Sequence, residues 1–201
     1  MSITDVVARR SSRSARITTE LGAPWVVNIV TSILAGAVIG APWWGVFGAA
    51  VTGGVPILVI LIGVWRGMAD DHHVPDVKDR RWVIPAILAI VAAGIVVEVV
   101  AGAPEQMVGW LAAAVAVLVG VGVITVLGGW KISVHTAVSA GTTVLLALIS
   151  SPWWLLALPA TAVIGWSRVR LRDHTRAQVT LGALLGSVLA AATYLVVTGL
   201  I

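Results

Sequence analysis

Long apolar runs alternate with short polar breaks along this chain of 201 residues. A bilayer core asks for roughly 20 apolar residues per helix. On that ruler, spans fall near 24–41, 44–66, 82–101, 107–129, 132–150, 152–169 and 175–199. Pro42, Trp43 and Trp44 divide the first two runs into a short one and one of ordinary length, so a six-span alternative leaves 24–41 re-entrant or in the interface. The expected fold class is all-α: a polytopic transmembrane helix bundle of six or seven spans. Residues 1–23 are polar and basic and read as a cytoplasmic N-terminal arm, with 24–201 as one transmembrane domain. Gly182 and Gly186 stand at the spacing that lets helix backbones approach closely.

Composition agrees. A mean hydropathy of +1.01 excludes an ordinary soluble domain. The lack of cysteine excludes disulfides and thiolate catalysis. Charge informs through its placement: with seven spans, all 13 lysines and arginines fall on one side, and the opposite loops hold none. The positive-inside rule turns that side to the cytoplasm. The 10 tryptophans fall at span ends, where an indole can bury its ring and keep its N–H wet. No nucleic-acid partner is expected.

Three polar islands open on the charged side. The first is the loop 68–81, with Asp70, Asp71, His72, His73, Asp76, Lys78, Arg80 and Arg81. Lys131, Ser133 and His135 make the second, at the start of a span. The third runs from Ser167 through Arg168 and His174 to Gln178. Cations and imidazoles at membrane depth cost free energy unless something anionic offsets it. Together they match what a phosphate ester needs. Arginine forks bind phosphoryl oxygens, a neutral imidazole attacks phosphorus, and a second imidazole protonates the leaving group.

Ser167, Arg168 and His174 match the third signature of the type 2 phosphatidic acid phosphatase superfamily, SRxxxxxHxxxD, with Gln178 in the place of its aspartate. The run from His174 to Val179 resembles the dolichyldiphosphatase-like variant. Ser133 and His135 resemble that family's PSGH motif, with Ile132 for proline and Val134 for glycine. Its first motif, KxxxxxxRP, is matched only by an arginine, Arg80 or Arg81, with Lys78 as a shifted partner.

The resemblance implies an integral-membrane lipid phosphatase acting through a phosphohistidine on His174, oriented by Gln178, with His135 as general acid. Arg168, Lys131, Ser133, Ser167 and one or both of Arg80 and Arg81 would cradle phosphate. It implies no cofactor and no metal. The expected substrate is a polyprenyl or other lipid (di)phosphate, met at the cytoplasmic face of a bacterial or archaeal cell membrane; phosphatidylglycerophosphate or phosphatidate is the alternative. Two other classes stay open: a lipid-phosphate binding or transport protein without turnover, and a magnesium-dependent transferase using Asp70, Asp71, His72, His73 and Asp76 as metal ligands.

Overall fold

The computed structural model describes residues 13–68, 72–73 and 77–200. Among them the chain is all-helical, without strands. The helices are α1 (Arg13–Leu21), then α2 (Pro24–Val38), α3 (Pro42–Ala49), α4 (Val55–Trp65), α5 (Val77–Val100), α6 (Glu105–Gly122), α7 (Val134–Ile149), α8 (Leu158–Arg170) and α9 (Arg176–Val197). Asp70, Asp71 and Asp76 of the candidate metal loop, and Arg9 and Arg10 of the N-terminal arm, lie outside the described residues.

Four helical stretches are long and apolar enough to cross a membrane: Pro42–Trp65, Lys78–Val100, Glu105–Leu127 and Arg176–Val197. The pair α1 and α2 adds a fifth if it counts as one span bent by 44°. The chain is therefore an all-α protein whose apolar helices suit a membrane. At 16 residues, α7 is shorter than a full crossing usually requires, as is α8 at 13.

Local chemistry explains the breaks. Pro56 has no N–H to give to the carbonyl of Thr52. That carbonyl instead accepts a 3.0 Å hydrogen bond from Asn28 Nδ2. The turn before it, Ala50–Gly54, widens into a π-helix that joins α3 to α4. A second π turn, Val123–Leu127, ends α6. Residues 13–23, the described part of the N-terminal arm, dock against the bundle. Ala15, Thr19 and Ala23 are buried, and Thr19 Oγ1 meets Ser167 Oγ of α8 at 2.9 Å.

Tryptophan placement departs from the sequence expectation at Trp110 and, in its buried N–H, at Trp25. Trp43, Trp65 and Trp153 are well exposed, as interface anchors would be. Trp110 is buried in the core, where its Nε1–H donates to Ser32 Oγ at 3.0 Å. A serine one helix away supplies the partner that water would have supplied.

The packing that matters most for the site lies between α7 and α9. A Cβ built on Gly182 would sit 2.5 Å from the Ser133 carbonyl oxygen, and one on Gly186 would overlap the backbone of Ala137. Thr136 Oγ1 also donates across to the Val179 carbonyl at 2.8 Å. Backbone touches backbone here. Gly186→Ala is expected to destabilise the bundle by about 1–3 kcal/mol, the usual cost of overpacking. Gly54→Ala, where the added methyl meets only an atom 3.9 Å away, should change the thermal midpoint little. Paired melting curves in detergent check this.

Candidate active site

The start of α5, the start of α7, the end of α8 and the start of α9 meet at one end of the bundle, joined by the side chains of the polar islands. Arg80 is buried, and its Nη1 donates to the Ile132 carbonyl at 3.0 Å, tying α5 to the segment before α7. Ser133 caps α7, its Oγ accepting from the Thr136 N–H. Its own N–H donates to the Gln178 carbonyl at 3.2 Å. The α8–α9 turn folds back because the Asp173 N–H donates to the Arg168 carbonyl at 3.0 Å. Arg172 turns it with a φ of 63°, a left-handed conformation uncommon outside glycine.

His174 sits in that turn, just before the capping box of Thr175 and Gln178. Its Nδ1 lies 3.2 Å from the Lys131 carbonyl oxygen. It lies 3.3 Å from Gln178 Oε1. Gln178 Oε1 also accepts the Thr175 N–H at 2.9 Å, which fixes the amide orientation. Both neighbours of Nδ1 are acceptors, so Nδ1 carries the proton and Nε2 keeps its lone pair. Nε2 is buried and has no hydrogen-bond partner. Burial first, then the charges of Arg80, Lys131 and Arg168, push the His174 pKa down to about 3. At neutral pH the ring is uncharged.

The sign of the resulting pH effect follows from linkage. Between its unfolded value of 6.5 and about 3, the unfolded chain binds a proton at this ring and the folded chain does not. Stability is therefore fully present above pH 6.5 and falls as pH drops, by at most about 1.4 kcal/mol per pH unit from this group. His174→Gln should flatten that acid limb. Melting curves across the interval decide it.

Arg168 is buried, and its Nη2 pairs with Asp173 Oδ2 at 3.2 Å. His135, in the first turn of α7, is buried with Nε2 unpartnered. Arg168, His73, His174 and Arg80 all act on it electrostatically, and its ring centroid is 5.4 Å from that of His73. Lys131 is half-buried beside His174. These residues come together.

Two candidates fare differently. Arg81 is exposed, as is Lys78, so Arg80 is the arginine of this loop that enters the cluster. Ser167 Oγ donates to the Ile164 carbonyl at 2.7 Å and meets Thr19, so it already holds two helices together. Two residues escaped the sequence reading. Asp173 is a partner of Arg168, and adjacency to His174 was its only signal. Glu20 contacts His72 Nε2 at 3.3 Å and His73 Nε2 at 3.0 Å. Nothing in the spacing joins it to a loop some 50 residues away.

A cleft of about 150 Å³ runs from this cluster into the bundle. His72, His73, Arg80 and His135 lie at its polar end, and Ile87, Val91, Trp110, Val117 and Leu145 along its apolar depth. Such a cleft suits a ligand with one charged end and a hydrocarbon body. Neither Arg168 nor His174 lines it.

The described residues thus define an all-helical protein, apolar enough for a membrane, with two buried imidazoles and two buried arginines at one end. Compared with family models, curated proteins and solved structures, the chain matches none.

Proposed function

We propose that the protein is an integral-membrane phosphatase that hydrolyses a lipid phosphate or diphosphate through a phosphohistidine on His174. The observation that carries this reading is the Nδ1 proton of His174 held between two carbonyl oxygens, which leaves a neutral Nε2 beside three cations. The motif resemblance supports it independently, since it singles out the same histidine and the same arginine.

In the proposed cycle, Arg168, Arg80 and Lys131 hold the phosphoryl oxygens. The N–H groups of the first turn of α7 add their partial positive charge. The Nε2 lone pair of His174 forms the N–P bond as the ester P–O bond breaks, and His135, protonated when the negative charge of the bound phosphate lies beside it, gives its proton to the departing alkoxide. Neutral His135 then takes a proton from water as that water attacks phosphorus. The N–P bond breaks, inorganic phosphate leaves, and both rings return to their starting states. Gln178 orients His174 and raises its basicity less than a carboxylate would. No step passes through a metal.

The apolar cleft favours a long hydrocarbon tail, and a polyprenyl (di)phosphate is the first substrate, with phosphatidylglycerophosphate or phosphatidate next. On this reading α7 and the pair formed by the 3-10 turn Pro152–Ala157 with α8 also cross the membrane. That makes seven crossings and puts the site at the cytoplasmic face. The Arg168–Asp173 ion pair favours a second reading, binding of a lipid phosphate without turnover, because an arginine already neutralised needs an anion only to exchange. Purified protein offered lipid phosphates of graded tail, with and without EDTA, separates the two. Hydrolysis predicts phosphate release that survives chelation; binding alone predicts retention of lipid with no release.

A further inference from the structure

Outside the histidine and arginine cluster, the described residues bring one other set of metal-competent donors together. Glu20 ends α1, and His72 and His73 stand before α5. Their ligand atoms all lie within 4.8 Å of one another. We propose that Glu20, His72 and His73 bind a divalent transition-metal ion of the zinc class, which clasps α1 to the segment before α5 at the polar end of the cleft.

The donor types come first. Two imidazoles and one carboxylate are borderline ligands that suit zinc or cobalt(II) far better than magnesium, which takes oxygens in octahedral array. Three protein ligands leave a fourth position open to water.

Geometry points the same way. Metal–ligand bonds of about 2.0–2.1 Å at the tetrahedral angle place neighbouring donors about 3.4 Å apart. His72 Nε2 lies 3.3 Å from Glu20 Oε2 and His73 Nε2 lies 3.0 Å from Glu20 Oε1, so each imidazole faces its own oxygen of one carboxylate. Closing the widest separation asks for a movement of about 1 Å at side-chain tips. Glu20 is 53% exposed and the His72 side chain 34%, so those tips have room to move. The imidazole rings lie 4.1 Å apart at 38°, already turned toward one carboxylate from the same side.

Protonation is compatible as well. Burial is the largest cause holding His73 below the ordinary histidine range, against the pull of Glu20. Arg168 acts on His73 as a like charge would, and this opposes a cation; the Glu20 carboxylate offsets it at contact distance.

Position gives the ion a role. His72 and His73 line the cleft mouth, and His73 packs against His135. Coordination would fix α1, which otherwise reaches the bundle through Thr19 and Ser167 and the close approach of Gly22 to Ile164. The ion is a positioning element at the entrance, and it takes no part in the transfer steps proposed above. It stands or falls separately from hydrolysis.

Cobalt(II) titration of the full chain in detergent tests it, read by the visible bands of tetrahedral cobalt and by metal content per chain. The expected result is one cobalt per chain, displaced by zinc(II). Affinity should fall at least about tenfold in each of Glu20→Gln, His72→Ala and His73→Ala, while His174→Ala binds as the wild type does. Zinc should raise the melting temperature of the wild type and of His174→Ala, and leave the three ligand variants unmoved. Glu20→Gln keeps the side-chain volume at an exposed position, so it reports on ligation even if a histidine variant folds poorly. No cobalt bands in the wild type, or wild-type affinity retained in all three ligand variants, overturns the proposal and leaves a hydrogen-bonded Glu–His cluster.

Discussion

His174→Ala is expected to lower phosphate release by at least about 10³-fold, because the residue forms the bond that the reaction passes through. Loss of the ring also removes the contacts from Nδ1 to the Lys131 carbonyl and to Gln178. Gln178 Oε1 keeps its other role, capping α9 through the Thr175 N–H. The variant should therefore fold, and an unchanged melting profile at neutral pH would show that the loss lies in chemistry. His135→Ala makes the useful contrast. Its role is proton transfer, typically a contribution of about 10²–10⁴, and the proton-donating half of that role lapses when the leaving group is a phenolate that needs no proton. A nitrophenyl ester should rescue the phosphorylation step of His135→Ala, read as a burst of nitrophenol, and leave His174→Ala without one. Equal rescue of both variants, or of neither, would contradict the division of labour.

Substitution of Arg168 should be nearly as damaging. It is buried, and at 3.2 Å from Asp173 it is balanced by one half-exposed carboxylate. In the proposed cycle the phosphoryl group takes the guanidinium fork as its partner, and loss of one such preorganised donor costs about 10²–10³ in rate. Arg168→Lys keeps the charge and loses the two parallel N–H donors, so it should recover only a small part. If Arg168 merely held the turn through Asp173, Asp173→Asn would cost as much as Arg168→Lys. The account expects otherwise: Asp173→Asn should retain turnover within about tenfold, since it removes a competitor of the substrate as well as a partner. Steady-state rates on one lipid phosphate, measured for the three variants, decide between these.

The helices were legible because burial in a membrane writes itself as run length, and Pro42 was read as a break for the same reason. The convergence of the islands was legible too, since each lies where a helix arrives at or leaves one end of the bundle. Which arginine of the first island turns inward was not. Arg80 and Arg81 are neighbours in sequence, and one step along a helix rotates a side chain by about 100°. Only the packing of α5 against Ile132 selects Arg80.

Docking of α1 was missed for a physical reason. Its contact surface is made of small residues, Ala15, Thr19 and Gly22, whose value lies in close approach. A hydropathy reading sees only the polar residues between them and places a boundary at residue 23. Trp110 misled by position alone: it lies in the second turn of α6 and finds Ser32 across the core. Ser167 fits a family signature in sequence, and in the structure its hydroxyl joins α8 to α1. Gln178 is the opposite case. The expectation that a glutamine carbonyl can accept the imidazole N–H corresponds to a contact present in the structure.

Whether His174 carries phosphorus during turnover is the most direct question. Protein quenched in the steady state with a lipid substrate labelled at its terminal phosphate should hold label that is stable to base and released by acid. Mass spectrometry should place that label on His174 and on no other residue, with none in His174→Ala. Turnover without a base-stable adduct, or an adduct on a serine, an aspartate or another histidine, would contradict the account.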